Sequence, residues 1–240
     1  MKFASVITIL SSFVGLVSSQ SPRVVSQCTT PNTVAITFDD GPTIYTQQIS
    51  DIFAQNGARV TFFVNGFNYG CIYDRSDTIL SAFNSGHQIA SHTWSHADLT
   101  TLSEAGVVEE AEKLQTALRK ILGVSPTYVR PPYGSYNVNT LNAFGMVGFT
   151  TVALWDLDSG DSVGVGNVGQ QDGYNAASTD VSHIVLQHDT SESTASMSQF
   201  IINWARSRNL QMVTVAECLG DTVPYMGQTV PEVRNPTWIC

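Results

Sequence analysis

Two adjacent aspartates, Asp39 and Asp40, directly follow a predicted strand at residues 34–38 that begins with the apolar run at residues 34–36. Two carboxylates this close resist joint ionisation unless a positive group lies beside them. Side chains alternate in direction along an extended segment, so one aspartate can ligate a metal ion while the other faces a water molecule at that ion. The pair is therefore typical of metal-assisted hydrolysis. A turn that caps the next helix is the alternative, since Gly41-Pro42 follows.

Two histidines, His92 and His96, lie four residues apart in the stretch SHTWSH (residues 91–96). On a helical turn this spacing places both imidazoles on one face, where they can share a metal ion. Two histidines and one carboxylate form the ligand set of catalytic zinc sites, and also that of non-haem iron sites. The residues therefore predict a metal centre and leave zinc and iron open.

Arg130 begins the stretch RPPYG (residues 130–134). The two prolines stiffen the backbone and lack N–H groups, which leaves the N–H of Tyr133 as a fixed donor. A fixed donor beside a metal can stabilise an oxyanion. An arginine at a buried strand end requires a carboxylate partner; a surface arginine beside a proline turn is the alternative.

The elements that must position these residues follow an alternating pattern. Short β-rich runs predict strands at residues 34–38, 60–64, 88–91, 127–130, 150–155, 183–187 and 212–215. Apolar residues at three- and four-residue steps predict helices over residues 43–55, 103–122 and 196–208. This alternation indicates an α/β fold with a parallel sheet, either open or closed into a barrel. Six of the seven predicted strands end in a polar group, and strand ends are where such folds build active sites.

Composition narrows the class of protein. The net charge of −9 without a basic cluster argues against nucleic acids and anionic membranes as partners. Residues 1–19 have the charge, apolar core and small-residue end of a secretory signal peptide. We therefore predict a secreted protein whose single domain spans residues 20–240. Four cysteines in a secreted chain predict two disulfides, with three possible pairings.

Five ordered motifs resemble those of the polysaccharide deacetylases, the family 4 carbohydrate esterases with a NodB-homology domain. They are TFDD (37–40), SHTWSH (91–96), RPPYG (130–134), DSGD (158–161) and LQHD (186–189). The secreted single-domain form is most similar to fungal chitin deacetylases. The resemblance implies a distorted (β/α) barrel of about seven parallel strands, a polysaccharide or oligosaccharide substrate, and a monomer.

The resemblance also implies roles for individual residues. Asp40, His92 and His96 would bind one divalent metal ion, usually zinc, with cobalt as a substitute. The remaining roles are those of the general base (Asp39), its ion-pair partner (Arg130), the oxyanion donor (Tyr133 N–H), the acetyl-methyl pocket (Leu186), the general acid (His188) and the partner of that acid (Asp161). The implied disulfides are Cys28–Cys218 and Cys71–Cys240.

The implied reaction is hydrolysis of N-acetyl groups on β-1,4-linked N-acetylglucosamine chains, which releases acetate. An acid beside a base suits an amide, whose nitrogen must be protonated to leave. Ser162 stands where the family usually has tryptophan, so we expect a more open groove. The alternatives are an acetylxylan O-acetyl esterase, a glycoside hydrolase, an iron oxygenase and an inactive carbohydrate-binding protein.

Overall fold

The computed structural model describes residues 21–178 and 181–240. The predicted signal peptide therefore lies outside the described residues. Within these two ranges no helix combines the length and the apolar character that crossing a membrane requires.

Short strands provide the frame of the molecule. In the described part of the chain they are β1 (Arg23–Val25), β2 (Thr33–Asp39), β3 (Thr61–Val64), β4 (Gln88–Ser91), β5 (Ser125–Pro126), β6 (Tyr128–Val129), β7 (Thr151–Ala153), β8 (Leu157–Asp158), β9 (Ile184–His188), β10 (Gln211–Met212) and β11 (Tyr225–Met226).

Nine of these strands form one sheet, in the order β1-β7-β6-β4-β3-β2-β9-β8, with β10 paired to the start of β2. Every pairing in this sheet is parallel. The sheet curls into a half-barrel with helices around it, which confirms the predicted distorted (β/α) barrel. Parallel pairing brings the carboxyl ends of β2, β4, β6 and β9 to one edge.

Helices connect the strands. They are α1 (Thr46–Gln55), α2 (Ser76–Asn84), α3 (Glu104–Leu122), α4 (Val138–Val147), α5 (Gly166–Ala176), α6 (Glu192–Ser207) and α7 (Val215–Cys218). The prediction was closest for α3. There the Ser103 side chain accepts a hydrogen bond from the Gly106 N–H, and Gly123 ends the helix at φ 75°. Serine caps and left-handed glycine ends are the usual helix boundaries.

Two predicted elements differ from the structure near the C-terminus. The strand predicted over residues 212–215 is only the two-residue β10, because the Thr214 side chain caps a helix that begins at Val215. The helix predicted from residue 196 begins at Glu192, because Ser191 accepts a hydrogen bond from the Thr194 N–H. In both places a hydroxyl cap overrides the apolar pattern.

The core lies on both faces of β2, whose seven residues are all buried. The apolar residues of β2 pack against β3 and β9 and against the helices outside the sheet. Asp39 is the last residue of this strand and is only 2% exposed. The same strand therefore anchors the core and carries the first acidic residue of the predicted site.

Two disulfides join distant parts of the chain. Cys28 is bonded to Cys218, and Cys71 is bonded to Cys240. The first joins the segment before β2 to the end of α7. The second joins the loop after β3 to the C-terminal tail, whose Trp238 is buried against Tyr73.

Candidate active site

One cavity of about 590 Å³ lies at the carboxyl edge of the half-barrel. It brings together most of the residues predicted from the sequence. The lining includes Asp39, Asp40, His92, His96, Tyr133, Asp161, Leu186 and His188. Arg130 does not line the cavity; its side chain is fully buried behind Asp39.

Asp40, His92 and His96 form a compact cluster of ligand atoms. Each contributes one atom, and these atoms all lie within 4.8 Å of one another. The Asp40 Oδ1 atom is 3.2 Å from His96 Nε2 and 3.5 Å from His92 Nε2. Asp40 Oδ1 is buried and has no hydrogen bond. A buried carboxylate oxygen without a hydrogen bond between two imidazoles fits a divalent metal ion, because a cation would compensate its charge.

The surroundings of His92 keep its imidazole in the neutral form that a metal ligand requires. Its Nδ1 lies 2.7 Å from the Arg130 carbonyl oxygen, so Nδ1 carries the proton and Nε2 keeps its lone pair. Burial lowers the pKa of His92 to about 3, although Asp40 acts in the opposite direction. The imidazole is therefore free of the second proton that would compete with a metal ion.

The backbone around the cluster differs from the prediction. The interpretation of residues 92–96 as a helical turn is wrong, because this stretch is a loop in which Thr93 and His96 have φ values of 69° and 58°. The Asn65 side chain donates hydrogen bonds to the carbonyls of His92 and Thr93. Gly66 lets the Trp94 ring approach, since a Cβ there would lie 1.9 Å from that ring. Tertiary contacts from the loop after β3 thus bring the two histidines together.

Left-handed backbone is concentrated at this site. Among the described non-glycine residues six have positive φ, and four of these are Asp40, Thr93, His96 and Tyr133. Such conformations cost on the order of 1–3 kcal/mol each and persist only where surrounding contacts enforce them. The geometry of the cluster is therefore maintained at a cost to folding.

Asp39 and Arg130 form a buried ion pair. Arg130 Nη1 donates to Asp39 Oδ1 at 2.8 Å and to Thr37 Oγ1 at 2.6 Å. The remaining guanidinium donors reach the carbonyls of Ala153 and Leu154. Burial raises the pKa of Asp39, and the charge of Arg130 acts against that rise. Arg130 therefore orients the carboxylate and favours its ionised form.

His188 and Asp161 form a second pair beside β2. His188 Nδ1 lies 2.8 Å from Asp161 Oδ1, and the His188 backbone N–H donates to Asp161 Oδ2 at 2.7 Å. Burial alone would lower the pKa of His188, but the hydrogen bond to Asp161 and the charges of Asp39, Asp161 and Asp40 raise it to about 9. His188 is thus protonated at neutral pH, as a general acid must be.

Thr194 is a site residue that the sequence reasoning missed. Its hydroxyl donates to Asp161 Oδ2 at 3.0 Å, so this carboxylate accepts hydrogen bonds from both His188 and the first turn of α6. The sequence predicts that α6 begins at residue 196, which leaves Thr194 outside the helix and conceals this contact. The cap signal Ser191-Glu192-Ser193-Thr194 could have revealed it.

The rest of the cavity wall is mixed in character. Leu186 is 5% exposed and presents an apolar side chain, whereas the Tyr133 ring is 66% exposed and packs edge-on at 4.7 Å from the His96 ring. Trp155 lines the cavity, but Trp94 does not. Ser162 is exposed at the position where a tryptophan was expected.

The family model and the related sequences that match this chain all describe deacetylases. The profile described as "Polysaccharide deacetylase" matches residues 26–152. A "Chitin deacetylase" of Pestalotiopsis sp is 42% identical over 82% of this chain and 67% of its own length. A "Probable peptidoglycan-N-acetylglucosamine deacetylase" of Arthroderma benhamiae is 42% identical over 90% of this chain and 50% of its own length. The chain therefore spans half to two thirds of these relatives.

A solved structure agrees with these sequence relatives. The chitin deacetylase from the fungal pathogen Colletotrichum lindemuthianum superposes with a TM-score of 0.82 at 37% identity. The superposition covers 88% of this chain and 98% of that one. The sequence match, the shared half-barrel and the level of identity lead to one conclusion: this chain belongs to the polysaccharide deacetylase family.

Proposed function

We propose that this protein is a secreted metal-dependent deacetylase that hydrolyses the N-acetyl groups of β-1,4-linked N-acetylglucosamine chains, with chitin or chitooligosaccharides as the substrate. The observation that carries the proposal is that one cavity is lined by Asp39 and His188, each of which belongs to a different charge pair. Asp39 with Arg130 supplies a base, and His188 with Asp161 supplies an acid. The names of the most similar relatives, which are N-acetylglucosamine polymer deacetylases, support the same substrate class.

Asp40, His92 and His96 would hold the metal ion, which we propose to be zinc, with cobalt as a substitute. A divalent ion bound there would supply Lewis-acid chemistry, lowering the pKa of water and polarising a carbonyl. Three ligands leave at least one position open, as in catalytic rather than structural zinc sites.

The residues of the chain divide the proton transfers between them. Asp39 accepts a proton from the attacking water while Arg130 fixes the orientation of its carboxylate. The water oxygen bonds to the acetyl carbon, and the Tyr133 N–H donates to the oxygen that becomes negative. His188 then gives its proton to the departing nitrogen as the C–N bond breaks. The products are acetate and a glucosamine unit.

The protonated acid distinguishes the substrate classes. An amide nitrogen requires a proton to leave, whereas an ester oxygen needs one much less. A histidine with a pKa raised to about 9 is protonated at neutral pH, so it can supply the proton that an amide requires and that the O-acetyl ester of acetylxylan needs much less. Glycoside hydrolysis needs two carboxylates and would leave the His92–His96 pair without a role.

Acetate release is the direct test of this proposal. The zinc-loaded protein is incubated separately with chitin oligosaccharides and acetylxylan, and acetate is measured by an enzymatic assay. We expect release from the chitin oligosaccharides, loss of activity on chelation, and recovery on adding Zn²⁺ or Co²⁺. Faster release from acetylxylan would overturn the substrate assignment, and full activity in a metal-free preparation would overturn the metal requirement.

Secretion and the extent of the domain belong to the same proposal. Two disulfides fit an oxidising compartment. We propose that the chain is cleaved after Ser19 and that residues 20–240 form the mature deacetylase domain, acting as a monomer. N-terminal sequencing of the protein from culture medium and light scattering test these points.

A further inference from the structure

The loop after β3 places an exposed aromatic residue at the cavity. Tyr69 lines the cavity together with the acidic and histidine residues, and its side chain is 57% exposed. Phe67 lies on the same loop and is similarly exposed, at 53%, but it is not part of the cavity lining. A tyrosine ring has a flat apolar body and a polar tip, so an exposed ring at a polar cavity can lie against the apolar face of a sugar ring.

This loop is closed on itself at its base. The Phe67 N–H donates to the Trp94 carbonyl at 2.7 Å, and the Ile72 N–H donates to the Gly66 carbonyl at 2.9 Å. Phe67 and Cys71 face each other in an antiparallel bridge. Tyr69 therefore lies at the tip of a short turn whose base is attached to the histidine loop.

The C-terminal tail provides a second attachment. Cys71, at the base of the turn, is bonded to Cys240. Trp238 is 6% exposed and packs on the Tyr73 ring at 5.3 Å, and Arg234 pairs with Asp74 at 2.8 Å. Upstream, the Thr229 N–H donates to the Gly123 carbonyl at the end of α3. The tail thus extends from the end of α3 to the turn that carries Tyr69.

We propose that Tyr69 binds a sugar unit of the substrate beside the unit that reacts, and that the C-terminal tail positions Tyr69 through the Cys71–Cys240 disulfide. This inference rests on the proposed function for the identity of the ligand, a chain of N-acetylglucosamine units. Tyr69 acts in binding, and the tail acts only through the turn.

The first experiment compares two aromatic residues of one loop. Tyr69→Ala and Phe67→Ala are each assayed with a chitin disaccharide and with a longer chitin oligosaccharide. We expect Tyr69→Ala to raise KM for the longer oligosaccharide by about 5- to 10-fold, the value of one aromatic contact, with a smaller effect on kcat. Tyr69→Phe should restore most of the affinity. Equal KM values for Tyr69→Ala and the unmodified protein, or equal effects of the two alanine variants, would overturn the proposal.

The second experiment tests the tail. A Cys71→Ser/Cys240→Ser variant should raise the same KM, and adding these changes to Tyr69→Ala should raise it no further, because both act on one contact. Additive effects would refute the link between the tail and Tyr69. If the double variant does not fold, Trp238→Leu loosens the tail with the disulfide intact and is subject to the same additivity test.

Binding measurements separate this inference from the proposed reaction. Calorimetric titration of the metal-depleted protein with the longer chitin oligosaccharide requires no turnover. Weaker binding by Tyr69→Ala than by Phe67→Ala supports the inference even if no acetate is released by any variant. If no N-acetylglucosamine oligosaccharide binds to the unmodified protein, the inference is wrong whatever reaction the cavity performs.

Discussion

His92 and His188 both line the cavity, on different sides of β2 in the sheet, and their surroundings give them different protonation states. The Nδ1 atom of His92 faces a backbone carbonyl, whereas that of His188 faces the Asp161 carboxylate. The side chain of His92 is 3% exposed and that of His188 is 17% exposed. The pKa of His92 is lowered to about 3 and that of His188 is raised to about 9.

Burial disfavours the positive charge on both rings, and the difference teaches that a carboxylate partner at Nδ1, with further carboxylates nearby, can outweigh that burial. A backbone carbonyl fixes the tautomer of His92, but it carries no negative charge that would stabilise a buried imidazolium. His92 therefore stays neutral and can bind a metal. A carboxylate with additional hydrogen-bond donors stabilises imidazolium, so His188 can give a proton. One residue type can thus serve as a neutral ligand or as an acid within one cavity.

The largest expected effect is at the neutral histidine. His92→Ala should lose the metal, because two remaining ligands cannot hold it at ordinary zinc concentrations. N-acetyl hydrolysis should fall by at least about 10³-fold with it, since metal ions contribute several kcal/mol to such reactions. Elemental analysis measures the metal content of the variant, and acetate release measures its activity. A variant that keeps stoichiometric zinc would show that His92 is not a ligand.

The next effect is at the protonated histidine. His188→Asn should keep its zinc and lower kcat for the N-acetyl substrate by roughly 10²–10⁴-fold, the usual contribution of a general acid. Hydrolysis of an activated acetate ester should suffer far less, because its leaving group needs little protonation. The measurement is the amide-to-ester rate ratio beside zinc content.

His183 offers a matched control for this variant. Its Nδ1 lies 2.8 Å from an Asp156 oxygen, the same distance as in the His188–Asp161 pair, but His183 does not line the cavity. His183→Gln should leave the amide-to-ester ratio unchanged. Equal slowing on both substrates in His188→Asn, or loss of its zinc, would contradict the acid role.

A smaller effect concerns pH. The pKa of His188 is raised above its ordinary value, so the pairing with Asp161 stabilises the folded state below about pH 6.5 and is lost as pH rises through about 9. NMR titration of the metal-depleted protein should show that His188 is still protonated at about pH 7–8, because this range lies below its pKa of about 9. Asp161→Asn should move the midpoint down toward 6.5. An unchanged midpoint would show that Asp161 does not hold the proton on the ring.

The smallest effect belongs to the residue behind the acid pair. Thr194→Val removes the hydroxyl that donates to Asp161 and that lies 3.2 Å from Ser191 Oγ. It keeps the side-chain shape, and the Thr194 backbone N–H can still donate to the Ser191 cap. We expect N-acetyl hydrolysis to fall by about 10-fold, as for other groups that orient a catalytic side chain. Thr194→Ser should recover it. If Thr194→Val slows the ester as much as the amide, Thr194 acts on structure alone.

The sequence predicted the strand-end residues well, because a buried apolar run followed by charged residues has few interpretations. The position of Asp39 at the end of β2, with Asp40 directly after the strand, follows from this pattern. The conformation of residues 92–96 could not be predicted in this way. It depends on hydrogen bonds from Asn65, which is distant in sequence and becomes a neighbour only through the pairing of β3 with β4.

Local capping explains the other differences. The apolar pattern of α6 begins later than the helix itself, since its first turn contains the polar residues that cap it and contact Asp161. The apolar periodicity of the sequence could not single out Tyr69, because residues at the tip of a loop follow neither helix nor strand periodicity. Its position requires the fold, and so does the contact of the C-terminal tail with the same loop.

The left-handed residues of the site set stability against the side chains that the cavity needs. Glycine adopts positive φ without steric cost, so glycine at Asp40, Thr93, His96 or Tyr133 would relieve strain. Each such change would also remove a side chain from the loops that form the Asp40–His92–His96 cluster and the cavity wall. Selecting variants for stability alone should therefore favour glycine at these positions, and the half-barrel would persist while the side chains of the cavity were lost.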